Sequence, residues 1–240
     1  ALAAQLLGLI PPTLSLGIPL VWALANLDQL GSSLRDDLLP LSLRSLLLGV
    51  SAALLALAAA LLLAIAKRWS SAVWLRGLTF LAGIGYAIPG TVLALALLLT
   101  GAPWQLAPLL LLLWGYSDRF LAVAKGGLDA ALERISPNLD EAATGLGFNW
   151  QQVLRRVHLP LLRGPMTVGL LLVFVDTVKE LPLTFALRPF DFDTLSVRVY
   201  QYASDERLAA ALLPALMILS LGLVAAMALV PSLDQASSKG

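Results

Sequence analysis

Leu41–Ala66 reads LSLRSLLLGVSAALLALAAALLLAIA, almost pure leucine and alanine, with a single charge at Arg44. A bilayer core of about 30 Å is crossed by roughly 20 apolar residues in helical form, and this run is long enough to do it. Lipid offers no hydrogen bonds, so each backbone group must be paired internally, which a helix achieves within its own segment. Barrel strands alternate apolar and polar residues over about ten positions, and this run does not alternate. Working outward, five more stretches have the same character: Leu2–Leu27 (with Pro11 and Pro12 inside it), Leu78–Leu99, Leu106–Ala124, Pro165–Leu187 and Leu208–Val230. The sequence predicts an all-α membrane protein with about six transmembrane helices in a single domain over 1–240.

Composition agrees. Hydrophobic residues make up 59% and charged residues 13% of the chain, where a soluble domain carries about 25% charged residues. The chain has no cysteine, which excludes a disulfide scaffold and a thiolate metal site, and one histidine, His158, which excludes a His-rich cage. No basic stripe supports nucleic-acid binding, and no cofactor is expected on this chain. Ala1 is followed at once by apolar residues, without the basic region and cleavage site of a signal peptide.

The charges between spans orient them. Lys67, Arg68 and Arg76 fall between the second and third, and Lys125, Arg134, Arg155, Arg156 and Arg163 between the fourth and fifth. The opposite connections carry Asp28, Asp36, Asp37, Asp191, Asp193, Asp205 and Glu206. The positive-inside rule places the basic connections, and with them both termini and Lys239, in the cytoplasm.

The connection 125–164 is the least membrane-like part. Leu128, Ala131, Leu132 and Ile135 recur at helical spacing. Ser136-Pro137-Asn138 breaks that helix, and Ser136 or Asn138 is placed to cap a second one. Glu141 would then lie in a first turn, favoured by the helix dipole. Gly145 and Gly147 would end or turn that helix, Trp150–Val157 begins another amphipathic piece, and Pro160 and Pro165 close the segment.

Glu141-Ala142-Ala143, three residues, Gly147, nine residues, then Val157-His158-Leu159-Pro160 resembles the EAA loop of ABC importer permeases. The spacing fits without a gap, and the one departure is Val157 where the family has isoleucine. The resemblance implies a MetI-like permease core in the bacterial inner membrane. Glu141, Ala142, Ala143, Gly147, Val157, Leu159 and Pro160 would form a cytoplasmic coupling element docked on an ABC ATP-binding subunit dimer. Small side chains suit such a contact face, and Gly147 allows positive φ and close backbone approach. The chain has no G-x-x-x-x-G-K-[ST] loop, so ATP and magnesium are expected on the partner.

Gly85-Tyr86-Ala87-Ile88-Pro89-Gly90, Tyr116-Ser117-Asp118-Arg119-Phe120-Leu121-Ala122, Asp176-Thr177-Val178-Lys179-Glu180-Leu181-Pro182 and Arg188-Pro189-Phe190-Asp191-Phe192-Asp193-Thr194-Leu195 are together similar to the C-terminal half of ferric-iron ABC permeases. That resemblance implies ferric iron as cargo, a periplasmic substrate-binding protein as partner, and another permease half, fused before Ala1 or separate. Relatives carrying thiamine, polyamines or phosphonates share the core. An ion-driven secondary carrier and a membrane-embedded enzyme using Asp176 and Glu180 are the readings from other classes.

The fifth stretch holds three ionisable residues. Asp176, Lys179 and Glu180 are spaced to share one helical face, and charges in lipid usually face a pathway or a partner helix. They are read as the translocation path, or else as a neutralised cluster that locks packing. Pro182 would loosen the helix beyond them. His158 is read as a packing or hydrogen-bonding residue. Tyr86, Pro89 and Gly90 are read as a kink or thinning of the third helix, and Trp69, Trp74 and Trp104 as interface anchors. Gln201, Tyr202, Asp205 and Glu206 are read as outer-loop residues available to a binding protein.

Overall fold

A computed structural model describes residues 2–26, 38–70 and 72–237; Asp28, Asp36, Asp37 and Lys239 lie outside the described residues. All regular structure among the described residues is helical: α1 (Leu2–Ala25), α2 (Leu38–Trp69), α3 (Val73–Ile84), α4 (Gly90–Gly101), α5 (Pro108–Glu133), α6 (Pro137–Gly145), α7 (Trp150–Val153), α8 (Leu159–Val178), α9 (Pro182–Leu187), α10 (Leu195–Ser204) and α11 (Leu208–Ser237). A 3-10 turn, Ala102–Trp104, ends α4, and a π-helical turn, Leu154–His158, joins α7 to α8.

Among the described residues, three helices are long and apolar enough to cross a membrane: Leu38–Trp69, Trp150–Val178 and Leu208–Leu229. Helices α3 (Val73–Ile84) and α4 (Gly90–Gly101) are shorter, and α1 is an apolar helix of 24 residues with Pro11, Pro12 and Pro19 inside it. α5 has the length but carries Asp118, Arg119, Lys125 and Asp129.

Two expected spans are broken. The apolar run from Leu78 to Leu99 divides at Gly85–Pro89 into α3 and α4. Pro89 lacks an N–H and disfavours helix in the residue before it, which stops α3 and lets Gly90 start anew. Each piece is 12 residues, about 18 Å, too short to cross the core alone. The run from Pro165 to Leu187 breaks at Lys179–Leu181, and Pro182 opens α9 at a first-turn position where its missing N–H costs nothing.

Helices α2, α5 and α8 pack together as the centre of the bundle. Ala52, Ala56, Ala60 and Ala64, each one turn apart, are all buried. This strip of small side chains lets the neighbouring backbones come close, the device that replaces the hydrophobic drive where lipid is the solvent. Leu112, Phe120, Ala124, Leu128, Leu162 and Val173 fill the centre from the other two helices. Leu47, Leu54, Leu55 and Leu62 of α2 point outward. At the far end, Leu195 N–H donates to Ser45 Oγ at 2.9 Å, tying α10 to α2.

The loop between the fourth and fifth spans is shorter than expected. α5 runs unbroken to Glu133, so Leu128 and Leu132 are core residues of a long helix and not of a separate loop helix. Pro160 and Pro165 do not close the segment, because helix continues through both. The wide turn before Pro160 absorbs the disruption: Leu159 N–H donates to Leu154 O, an i→i+5 bond that shifts the register where proline offers no donor.

Candidate coupling loop and intramembrane charges

Between α5 and α8 the chain folds into a compact, capped loop. Ser136 caps α6, its hydroxyl accepting from Asn138 N–H. Proline at the first position places Asp140, not Glu141, as the acid of the first turn. Glu141 is the next residue along and is exposed. Helix α6 ends at Gly145, and Gly147 adopts φ +84. A Cβ there would touch nothing within 4 Å, so this glycine serves the left-handed turn and not a close approach. Asn149 then caps α7 reciprocally: its Oδ1 accepts from Gln152 N–H at 3.0 Å, and Gln152 Oε1 accepts from Asn149 N–H at 2.9 Å.

The two alanines of the motif face opposite ways. Ala143 is buried, whereas Ala142 is open. Ala142 therefore supplies the small outward surface, and Ala143 does not. Around Ala142 and Glu141, Leu139, Leu146 and Trp150 are exposed, Leu146 at 78%. These large apolar residues were not singled out from the sequence; the signal is Leu146 standing between two glycines, where nothing in its own loop can cover it. Val157 and Leu159 are half-buried. Leu159 and Pro160 line a groove with Leu57, Met166 and Leu170, rimmed by Arg155 and Arg163.

One ion-pair junction fastens this loop. Arg68, at the end of α2, donates from Nε to Asp140 Oδ2 at 2.7 Å, and from its terminal nitrogens to Leu132 O, Ile135 O and Ser136 O. His158 is fully buried, with Nε2 2.8 Å from Asp140 Oδ1. Trp69 packs edge-on against both His158 and Trp150. Trp69 does stand at a span end, but it is a packing residue of this junction as well. Lys67 and Lys125 both reach Asp129. The basic connections assigned to one side thus meet at one end of the bundle.

The intramembrane charges divide. Asp176 pairs with Lys179 at 2.8 Å, and the Lys179 side chain is 61% exposed. Glu180 does not share their helical face, because α8 ends at Val178 and the break turns its carboxylate elsewhere. It pairs with Arg119 of α5 at 3.6 Å, with both side chains largely buried. Arg119 also donates to Ile88 O in the break between α3 and α4, at 2.5 Å. Arg119 therefore bridges the two helix breaks. Gly90 faces Glu180: a Cβ there would lie 2.8 Å from Oε1. The missing side chain at Gly90 is thus what makes room for Glu180. Below the pair, Tyr116 Oη and Thr184 Oγ1 are 2.5 Å apart, and Thr184 Oγ1 donates to Glu180 O.

At the opposite end of the bundle, Arg188 pairs with Asp193, which Gln201 also contacts. Tyr202 is buried, so it offers no docking surface, while Asp205 and Glu206 are exposed. Phe190 is fully exposed beside Asp191, whose φ is +56.

A bundle of apolar helices with interrupted spans and a capped, outward-facing loop at one end fits a membrane-embedded subunit. Residues 53–236 match the model of the binding-protein-dependent transport system inner membrane component family, and the chain belongs to that family. It is 29% identical over 216 residues to the Fe(3+)-transport system permease protein FbpB 2 of Haemophilus influenzae, covering 85% of this chain and 42% of the relative. The chain thus spans less than half the length of that curated relative. The fold matches a bacterial ABC transporter involved in the import of the acidic polysaccharide alginate, with TM-score 0.69 at 15% identity, covering 99% of this chain and 95% of the other. It also matches the bacterial alginate ABC transporter in complex with an alginate pentasaccharide-bound periplasmic protein, with TM-score 0.72 at 15% identity over 96% and 92%.

Proposed function

We propose that this chain forms half of the translocation pathway of an ATP-driven importer whose cargo is ferric iron delivered by a periplasmic binding protein. An ATP-binding subunit dimer docks on the loop from Glu141 to Pro160, binds the nucleotide and its magnesium, and drives the bundle between inward-open and outward-open states. A second permease half, fused or separate, completes the path. The end of the bundle that carries Arg68, Arg134 and Arg155 faces the cytoplasm, and so do both termini. Asp176 and Lys179 line the path, and Glu180 braces it. The observation that carries this reading is the loop itself: an exposed face of Ala142, Leu146 and Trp150 on a segment held to the bundle by Arg68 and Asp140. Such a face is suited to a partner's cleft. Iron rests on the Fe(3+)-transport relative.

The test is uptake of labelled ferric iron by vesicles containing the assembled transporter. Glu141→Gln and Gly147→Val are expected to reduce uptake per ATP hydrolysed about tenfold, within the usual range of coupling between sites. Valine at φ +84 is strained by about 1–2 kcal/mol, enough to distort the turn without unfolding the bundle. Uptake that survives both changes refutes the coupling assignment, and uptake of another cargo in preference to iron refutes the cargo.

A further inference from the structure

We infer that Arg68 and Asp140 are positioning residues that make the second membrane helix, α2, a direct recipient of the motion of the coupling loop. The inference rests on the proposed role of that loop. By sequence the loop is joined only to α5 and α8. Arg68 lies 72 residues before Asp140, yet its guanidinium holds four oxygen atoms of the loop and its approach: the Asp140 carboxylate and the carbonyls of Leu132, Ile135 and Ser136.

Each contact has a separate physical role. Leu132, Ile135 and Ser136 lie at the end of α5 and just past it, where the negative end of the helix dipole attracts a cation; Leu132 O and Ser136 O each also accept one backbone N–H, from Ile135 and Leu139, and offer the guanidinium a second lone pair. Arginine's planar fork can serve several acceptors at once, which an ammonium cannot do in the same geometry. Asp140 uses its other oxygen toward His158, the last residue of the wide turn that leads into α8. One carboxylate therefore sits between α2 and the approach to α8 while belonging to α6. Both charged side chains are mostly buried, 13% exposed for Arg68 and 19% for Asp140, so solvent screens the pair weakly. Trp69 closes the junction by packing on His158 and Trp150. The three helices held here, α2, α5 and α8, are the same three that pack as the bundle's centre. A push on α6 is delivered to all of them as one body.

Because the chain has no cysteine, cysteine pairs can be labelled cleanly. Spin labels at Thr144→Cys on α6 and Leu62→Cys on α2, both exposed, are compared in the assembled transporter with and without ATP. The expected result is a narrow distance distribution that does not change with nucleotide. Asp140→Asn is expected to broaden it and to lower uptake per ATP about tenfold, with the ATP-binding subunit still bound and hydrolysing. Arg68→Lys, which keeps the charge and loses the fork, serves as the variant least disruptive to folding and is expected to show the same broadening to a smaller degree. A distribution unchanged in both variants, with normal uptake per ATP, overturns the inference. If the unmodified transporter shows no ATP-driven uptake, the functional reading fails. The label distances in the nucleotide-free protein still decide whether Arg68 and Asp140 hold α2 to the loop.

Discussion

Arg119→Met is expected to destabilise the protein by about 3–5 kcal/mol, the cost of stranding one partner of a buried ion pair. Arg119 carries two burdens. It neutralises Glu180, whose side chain is 11% exposed, and it occupies the Ile88 carbonyl freed by the break between α3 and α4. Removing it leaves an unpaired carboxylate and an unsatisfied carbonyl inside the bundle. Glu180 is also held in place by the Leu183 N–H, which donates to its Oε1 at 3.4 Å. The Tyr86 and Phe120 rings, each about 6 Å from the guanidinium, cannot replace the charge. Glu180→Gln is expected to cost less, since a glutamine still offers Arg119 an oxygen. The informative comparison is Arg119→Met with Glu180→Met. The pair of changes removes both charges and should be less damaging than Arg119→Met alone, a non-additivity measured by thermal unfolding of the purified protein in detergent. If the double variant is as unstable as the sum of the single ones, the pair is not what braces the two breaks.

Gly85→Ala is expected to have the second largest effect, about 3 kcal/mol, at the upper end of what overpacking costs. A Cβ on Gly85 would overlap the backbone carbonyl oxygen of Asp118 on α5. A backbone atom in a helix cannot rotate aside, so α3 and α5 would have to separate. That separation would also pull Ile88 away from Arg119, compounding the loss. The control lies two residues away. Gly83→Ala meets nothing within 4 Å and sits inside α3, where alanine is favoured over glycine by up to about 1 kcal/mol. The melting temperature should therefore fall for Gly85→Ala and hold or rise for Gly83→Ala. Equal behaviour of the two would show that α3 does not rest on α5 at Gly85.

The difference between these two glycines marks what was legible in the sequence. The apolar runs located the helices and the side on which basic connections gather, because lipid punishes exceptions severely. Fixed offsets from Glu141 to Pro160 marked out the loop proposed here for coupling. The breaks were less legible. Leu78–Leu99 and Pro165–Leu187 stay apolar straight through them, so hydropathy alone reads each as continuous; Pro89 and Pro182 hinted at the bends but not at their depth. Partners across helices were not legible at all. Arg119 lies in a stretch whose pattern gives it no role, Arg68 reads only as a positive charge near a span end, and Asp140 stands beside Glu141 of the motif without belonging to it. Each draws its meaning from a residue some 60 or 70 positions away, and periodicity carries no information at that separation. Ala142 and Ala143 show the same limit locally: identical side chains, adjacent in sequence, one facing out and one in.

The wide turn at Leu154–His158 also governs phase. Along this helix the buried residues include Val153, His158, Leu162, Gly169, Val173 and Thr177. From His158 onward the steps of four and seven suit an ordinary helix, but Val153 stands five residues before His158. In α-geometry five residues would swing Val153 about 140° out of line. A turn closed by an i→i+5 bond brings it back beneath His158. The turn therefore works as a slip joint between a membrane helix with one rotational setting and a loop with another. Its length is decoupled from its aim: taking one residue out would return the stretch to ordinary helix while the loop kept the face it presents.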